Sequence, residues 1–305
     1  MKIPEAAARE PLETVLVPTD FSQGAGQALQ RALLLPLALG ARLHVVHVLP
    51  AGLPAKVRSK VETDARASLN GVVSRVREGA RFAGQINVTA EVLRGEPFVE
   101  VIRCARGINA ELIVLGRHGR RPIRDMFMGT TAERVIRKGD VPVLAVHLAP
   151  DRPYQRPLVA TDLEDPSKRA LDLALRVIAA KVRRVDVVHS FNVPFEEIIG
   201  PAFSAREKND YRRTCREEAV AGLDKFIAPY QGSGIRWKAA LRPGDARAVV
   251  LAEALRRKSD LIAVGTHGRS GVAHALVGSV AEWIVATAPC DVLVARPARF
   301  TFKLP

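Results

Sequence analysis

Short apolar runs alternate with longer amphipathic ones along the whole chain. In the first half TVLVP (14–18), RLHVVHVL (42–49), NVTAEVL (87–93), ELIVLG (111–116) and VPVLAVH (141–147) read as strands. In the second half PLVA (157–160), VDVVHSF (185–191), IRWKAAL (235–241), DLIAVG (260–265) and DVLVAR (291–296) read the same way. Between them the period changes to that of a helix: Leu171, Ala174, Leu175 and Ile178 fall at i, i+3, i+4 and i+7 and give one apolar face. Asp165 followed by Pro166 predicts an N-cap and a first helical residue. Pro36 predicts an early end or a kink for the first helix. Strand–helix alternation implies a parallel sheet with helices on both faces. All-apolar segments such as LIVL fit strands buried on both sides.

The two halves are copies of one pattern. Asp20 in VPTDF and Asp162 in VATDL are 142 residues apart, as are His47 in HVVHV and His189 in VDVVHS. Gly95 and Gly244 are 149 apart, as are Gly116 and Gly265, so the second half carries seven extra residues between its second strand and Gly244. The proline-rich polar stretch APDRPYQRP (149–157) reads as the linker. The expected fold is therefore α/β: two tandem doubly wound domains, 1–150 and 151–305, each with a five-stranded parallel sheet of Rossmann-like form. Ligands of such sheets bind outside the carboxyl ends of the strands, where the strand order reverses.

Composition narrows the classes. At 305 residues, 48% hydrophobic and 26% charged, the chain can bury two ordinary cores. No apolar run reaches the length of a membrane span, and MKIPEAAARE lacks the apolar core of a secretion signal, so a cytoplasmic protein and no membrane partner are expected. Cys104, Cys215 and Cys290 form no CxxC pair, and the histidines form no HxxxH or HExxH pattern; free thiols and no metal site are expected. The net charge of +14 favours anionic partners, but the basic residues are scattered and aromatics are only 5%. Nucleic acid is not an expected partner on that reading.

Candidate chemistry sits in a repeated loop. GRHGRRPIRDMFMGT (116–130) and GTHGRSGVAHALVGS (265–279) share G-x2-G-x9-G-[ST] after the fourth strand of each half. Glycine lets backbone come close to a bound group, and the helix start that follows offers unpaired N–H groups and partial positive charge, which suits phosphate. A purely structural reading competes: Ser279 with Glu282, and Thr130 with Glu133, have the spacing of capping boxes. His118 and His267 recur but have no evident acid–base partner, and are read as turn residues. His47 and His189 are read as packing at a strand end, and Asp20 and Asp162 either end their strands or contact ligand.

With PTD after the first strand and two tandem copies, these motifs resemble the universal stress protein family, in its ATP-binding branch, over nearly the whole chain. The resemblance implies an adenine nucleotide alpha hydrolase-like fold, ATP with Mg2+ as ligand, pairing through the last strands, and a role in stress response and signalling. Here that pairing would be intramolecular, between the two halves, with a homodimer as a further expectation. The resemblance places Asp20 and Asp162 near adenosine, with Pro18 lining the first pocket. Val48 and Ser190 would meet adenine. Gly116 and Gly265 would approach the ribose and first phosphate. Gly119, Arg120, Gly129 and Thr130 in one half, and Gly268, Arg269, Gly278, Ser279 and Val280 in the other, would surround the phosphates. Arg117 and the bulky RRPIRDMFM make the first loop less typical than the second. No catalytic residue is assigned, and no GxxxxGK[ST] loop is present. The alternatives are a slow ATPase or adenylating enzyme of the same fold, and a basic nucleic-acid or protein-binding scaffold.

Overall fold

A computed structural model describes residues 9–78, 85–116, 130–193, 204–266 and 278–297. The first half runs β1 (Leu12–Pro18), α1 (Gln23–Leu33), β2 (Leu37–Leu49), α2 (Ala55–Glu78), β3 (Ile86–Arg94), α3 (Pro97–Gly107), β4 (Leu112–Gly116), α4 (Thr130–Lys138) and β5 (Val143–Val146). The second half runs β6 (Pro157–Thr161), α5 (Asp165–Val177), β7 (Arg184–Phe191), α6 (Ala205–Ile227), β8 (Arg236–Pro243), α7 (Ala246–Arg257), β9 (Leu261–Gly265), α8 (Ser279–Thr287) and β10 (Asp291–Ala295).

All ten strands join one sheet in the order β3-β2-β1-β4-β5-β10-β9-β6-β7-β8. Every neighbouring pair is parallel except β5 and β10, which run antiparallel with Leu144 opposite Leu293. Those leucines occupy equivalent positions, so the pair marks a pseudo-twofold axis. Each half has the doubly wound order, and its reversal falls between β1 and β4, and between β6 and β9. Pairing β5 with β10 leaves neither strand as an open edge, where unpaired N–H and C=O groups would invite association.

Alternation along the strands sorts the core into two layers. Val15 and Val17 pack with α1, α2, α5 and α6 on one side, and Leu16 and Ile113 pack with α3, α4, α7 and α8 on the other. Central strands such as Leu112–Gly116 are therefore apolar at nearly every position, because both faces are covered.

Several local expectations need correction. The helix before Pro36 ends at Leu33, but β2 begins at Leu37, five residues before the apolar run that announced it. The early segment pairs with β1 only at Leu12–Leu37 before the register shifts, and it leaves Leu39 exposed, so hydrophobic alternation could not report it. Asp165 is not the N-cap of α5. Glu164 holds that position with no side-chain bond, and Asp165 and Pro166 form the first turn. Ile178 lies one residue beyond the helix yet stays buried.

Candidate functional site

The strand order reverses where β1 meets β4 and where β6 meets β9, and sheets of this kind form their ligand crevices there, outside the carboxyl ends of the strands. The turn that leaves the first strand builds one wall of each. After β1, Thr19 Oγ1 accepts from Phe21 N at 3.0 Å and Asp20 Oδ1 accepts from Ser22 N at 3.0 Å. After β6 the pattern repeats: Thr161 Oγ1 accepts from Leu163 N at 2.9 Å, and Asp162 Oδ1 from Glu164 N at 3.1 Å. Both bonds are side chain to backbone two residues on, the mimic of a tight turn that Thr and Asp favour. They hold Phe21 at φ 61° and Leu163 at φ 71°, a left-handed conformation that bulky residues rarely adopt. Such strain costs about 1–3 kcal/mol and clusters where a surface must be held in one shape.

A third bond braces each turn from the neighbouring strand. His47 Nδ1 lies 2.7 Å from Thr19 O, and His189 Nδ1 lies 2.8 Å from Thr161 O. A carbonyl only accepts, so Nδ1 carries the proton in both rings. His47 also stacks against Phe21 with centroids 4.6 Å apart. These histidines, read from sequence as strand-end packing, therefore fix the shape of the turn, and their shared 142-residue spacing with the aspartates was the signal that linked them.

The other wall explains the glycines that end β4 and β9. A Cβ on Gly265 would lie 2.5 Å from Pro166 C and 2.7 Å from both Pro166 O and Ser167 N. A Cβ on Gly116 would lie 2.3 Å from Gly24 O. The first turn of α1 or α5 thus rests directly on the strand end, and glycine is demanded by backbone meeting backbone. Neither residue shows a left-handed φ. In the second half the contact is locked, because Ser167 Oγ donates to Asp162 Oδ1 at 2.6 Å and accepts from Asp162 N at 3.2 Å.

The rim is completed by Gly95 and Gly244, at φ 152° and 119°. Their N–H groups donate to Leu49 O and Phe191 O, at 3.0 and 3.1 Å, and join the ends of adjacent strands. Ser190 Oγ donates to Gly244 O at 2.7 Å. Its hydroxyl is thereby occupied in shaping the rim, while Val48, its counterpart, is half-buried beside the first crevice. Pro18 closes β1 and is half-buried.

The capping boxes do not form. Gly278 is the N-cap of α8 and Ser279 is its first residue, exposed and one position too late to cap. Val280 follows it, half-buried against the core. Glu282 turns instead to Arg137 of α4, which also holds Glu133 at 3.1 Å. Thr130 likewise lies inside α4. Among the described residues, no N-cap side chain bonds the helix start at the second switch point. Gly119, Arg120, Gly129, Gly268 and Arg269, with Arg117, His118 and His267, lie outside the described residues. Among the described residues no group of three His, Cys, Asp or Glu is placed to hold a metal ion, and no helix is long and apolar enough to cross a membrane.

The architecture is that of a tandem α/β protein with a crevice at the switch point of each half. A sequence model of the universal stress protein family matches residues 11–147 and again 153–296. The chain belongs to that family. Universal stress protein E of Salmonella typhi is 24% identical over 315 residues, spanning 94% of this chain and 95% of its own. The universal stress protein in the QAH/OAS sulfhydrylase 3′ region of Thermus aquaticus is 34% identical over 140 residues, 46% of this chain and 96% of its own. A universal stress protein from Archaeoglobus fulgidus, solved by crystallography, shares the fold with a TM-score of 0.64 at 18% identity, covering 93% of this chain and 98% of that one.

Proposed function

We propose that this protein binds ATP, with Mg2+, in the two crevices, and acts in the cytoplasm as a nucleotide-dependent stress-response or signalling protein rather than through turnover. The observation that carries the reading is the braced turn, built twice at the switch points with a bulky residue in left-handed backbone. Strain held by three hydrogen bonds in each half is costly unless the turn's shape serves a ligand.

The residues present fit a nucleotide. Asp162 Oδ1 is engaged by Glu164 N and Ser167 Oγ, and Oδ2 would accept from a hydroxyl donor such as a ribose. Asp20 would serve the same role in the first half. With the Ser190 hydroxyl held by Gly244, adenine recognition at Val48 and Ser190 rests on backbone groups. The start of α8, with Gly278, Ser279 and Val280, would offer N–H groups and a positive dipole end to phosphate. Gly119, Arg120, Gly129 and Thr130, and Gly268 and Arg269, would complete the phosphate loops. Mg2+ would be held mainly by phosphate oxygens and water, with a hydroxyl such as Ser279 or Thr130, as is usual for this ion. His47 and His189 commit Nδ1–H to the turn, which makes them positioning residues rather than proton-transfer groups.

Denaturing the purified protein and assaying released nucleotide, followed by titration with ATP and Mg2+, tests the reading; two ATP per chain is the expected limit. Gly278→Val is expected to abolish binding in the second crevice by crowding the phosphate, with the fold retained. A protein that releases no nucleotide and takes none up on titration overturns the proposal. Multiple-turnover assays separate binding from hydrolysis. The β5–β10 pair already joins the two halves, so a homodimer would have to use other surfaces.

A further inference from the structure

The duplication supplies an internal control, because any position in one half can be compared with its counterpart in the same frame. On the face covered by α7, that comparison exposes an asymmetry. Arg184 on β7 holds Asp186 at 2.9 Å, and Arg257 on α7 reaches the same carboxylate. Arg257 also holds Glu253 at 2.8 Å, and Glu253 is held by Arg242 of β8 at 3.0 Å and by Arg256 at 2.5 Å. Arg236 and Lys238 are the register partners of Arg184 and Asp186, and both are exposed. Alternation along β8 puts Arg236, Lys238 and Arg242 on one side of the sheet.

The burial of these groups is uneven. Side chains of the two carboxylates are 10% and 5% exposed, while Arg184, Arg242 and Arg256 are 47%, 49% and 53% exposed. Arg257, only 4% exposed, lies buried between the two acids, while Arg184, Arg242 and Arg256 are held by them with their outer edges in solvent. Five solvent-facing cations, Arg184, Arg236, Lys238, Arg242 and Arg256, thus share this surface, with one buried arginine and two buried carboxylates beneath. At the counterpart positions the first half has Arg42, Asn87, Thr89, Leu93, Gly107 and Ile108, with His44 and Cys104 where the carboxylates lie. Registers match, with Arg42 opposite Asn87 as Arg184 is opposite Arg236. The frame therefore does not require the charge.

We propose that this strip, on the outer edge of the second half, binds the phosphodiester backbone of a nucleic acid without reading its sequence. From Arg236 to Arg242 the strip is about 20 Å long, enough for several phosphates, which rise by about 3.4 Å along each strand of a duplex. Guanidinium forks held in place by buried acids match phosphate oxygens in pairs. Arg236, Lys238 and Arg242 lie in line along one strand, flanked by Arg184 and Arg256, which suits a chain of phosphates better than the plane of a membrane. It carries no aromatic platform for bases, so affinity comes from the backbone and is steeply salt-dependent. Read along the chain the basic residues looked scattered; the fold brings three segments of sequence, β7, β8 and α7, together to make the strip.

Fluorescence anisotropy with labelled homopolymeric single strands and a duplex, over a series of salt concentrations, tests this on the full chain. Binding that persists at physiological salt is expected, with a log–log slope of about −0.7 per contacted phosphate on single strands and about −0.9 on duplex. The exposed pair Arg236→Glu with Lys238→Glu is expected to weaken binding by at least about tenfold and to flatten the slope by about one contact per charge removed. Lys56→Glu with Lys60→Glu on α2 makes the same change in net charge on another exposed surface, and is expected to have little effect. Equal losses in the two pairs would mean a diffuse field and overturn the proposal. So would no binding at physiological salt, or capture only by inorganic polyphosphate or by vesicles of phosphatidylserine and phosphatidylcholine. ATP titration of the same variants is expected to be unchanged, which keeps this result separate from the nucleotide crevices.

Discussion

Gly265→Ala adds one methyl group at the point where β9 touches the first turn of α5. The added carbon would sit 2.5 Å from Pro166 C and 2.7 Å from Pro166 O and Ser167 N. Ordinary carbon contacts lie at about 3.5–4.0 Å, so the helix start must retreat by roughly an ångström. All three obstructing atoms are backbone, so no side chain can swing aside. Overpacking of this kind costs about 1–3 kcal/mol. The displaced Ser167 also carries the bonds to Asp162, so the turn loosens and ATP affinity in the second crevice falls with stability. Gly26→Ala is the matched control: Gly26 lies inside α1, with nothing within 4 Å of its would-be Cβ. There the same methyl group is expected to stabilise by about 0.5–1 kcal/mol, through the lower entropy of the unfolded chain. Urea denaturation reads both as shifts of the midpoint at constant slope. If Gly265→Ala shifts the midpoint upward as Gly26→Ala does, the backbone contact is not what demands glycine, and the account of the strand ends is wrong.

Asp291→Ala is expected to cost about 3–5 kcal/mol, because it leaves Arg31 buried without its carboxylate; Arg31→Leu in the same chain should recover part of the loss, and purely additive unfolding energies would refute the pairing. His189→Phe removes the donor to Thr161 O and should lower both stability, by about 1–3 kcal/mol, and ATP affinity; His189→Asn, which keeps an N–H donor, should recover much of the affinity, and equal damage from both would leave only a packing role. Burial alone would lift the carboxyl of Glu253, but Arg256, Arg257 and Arg242 outweigh it and hold it down at about 2. The folded value lies below the unfolded one of about 4.3, so its stabilisation is full above that pH and is lost as pH falls toward 2. The stability gap between wild type and Glu253→Gln should therefore close over that acid window, and a gap independent of pH would show that Glu253 is not held ionised.

Period and spacing made most of the fold legible. The ten strands follow from apolar runs, and their doubly wound order follows from the alternation with helices. The aspartates and glycines at the rims stood out because each recurs at a fixed offset. Other features left no local signal. The left-handed Phe21 and Leu163 are invisible in composition, since bulky residues are the last expected there. The reason for Gly116 and Gly265 lies in a contact with residues about 90 to 100 positions away, which no local rule reports. The Ser279–Glu282 spacing mimicked a capping box because spacing alone cannot say which residue is first in the helix. The strip around Glu253 escaped for a similar reason, its cations being drawn from β7, β8 and the last turn of α7.

The joint between the halves shows what fusion permits that a symmetric pair of chains does not. In a twofold dimer every contact off the axis occurs twice, so a charge at the interface must be accommodated on both sides. Here Asp291 is fully buried and accepts from Arg31 Nε at 3.0 Å, from His147 N at 2.8 Å, from Leu148 N at 3.0 Å and from the Tyr154 hydroxyl. Arg31 also lies 4.1 Å above the Tyr154 ring. The counterparts of Arg31 and Asp291 are Leu173 and Pro142, and Tyr154 comes from the linker itself. One side of the axis thus carries a buried ion pair with every lone pair engaged, while the other has Leu173 and Pro142 in place of that pair and a buried Arg296, the counterpart of His147, which donates to the Ile136 carbonyl. Because Arg31 lies on the helix whose first turn rests on Gly116, the same carboxylate that joins the halves also anchors a wall of the first crevice. A single chain can place such a network once, where it satisfies its own desolvation, and need not repeat the ion pair at the mirrored position.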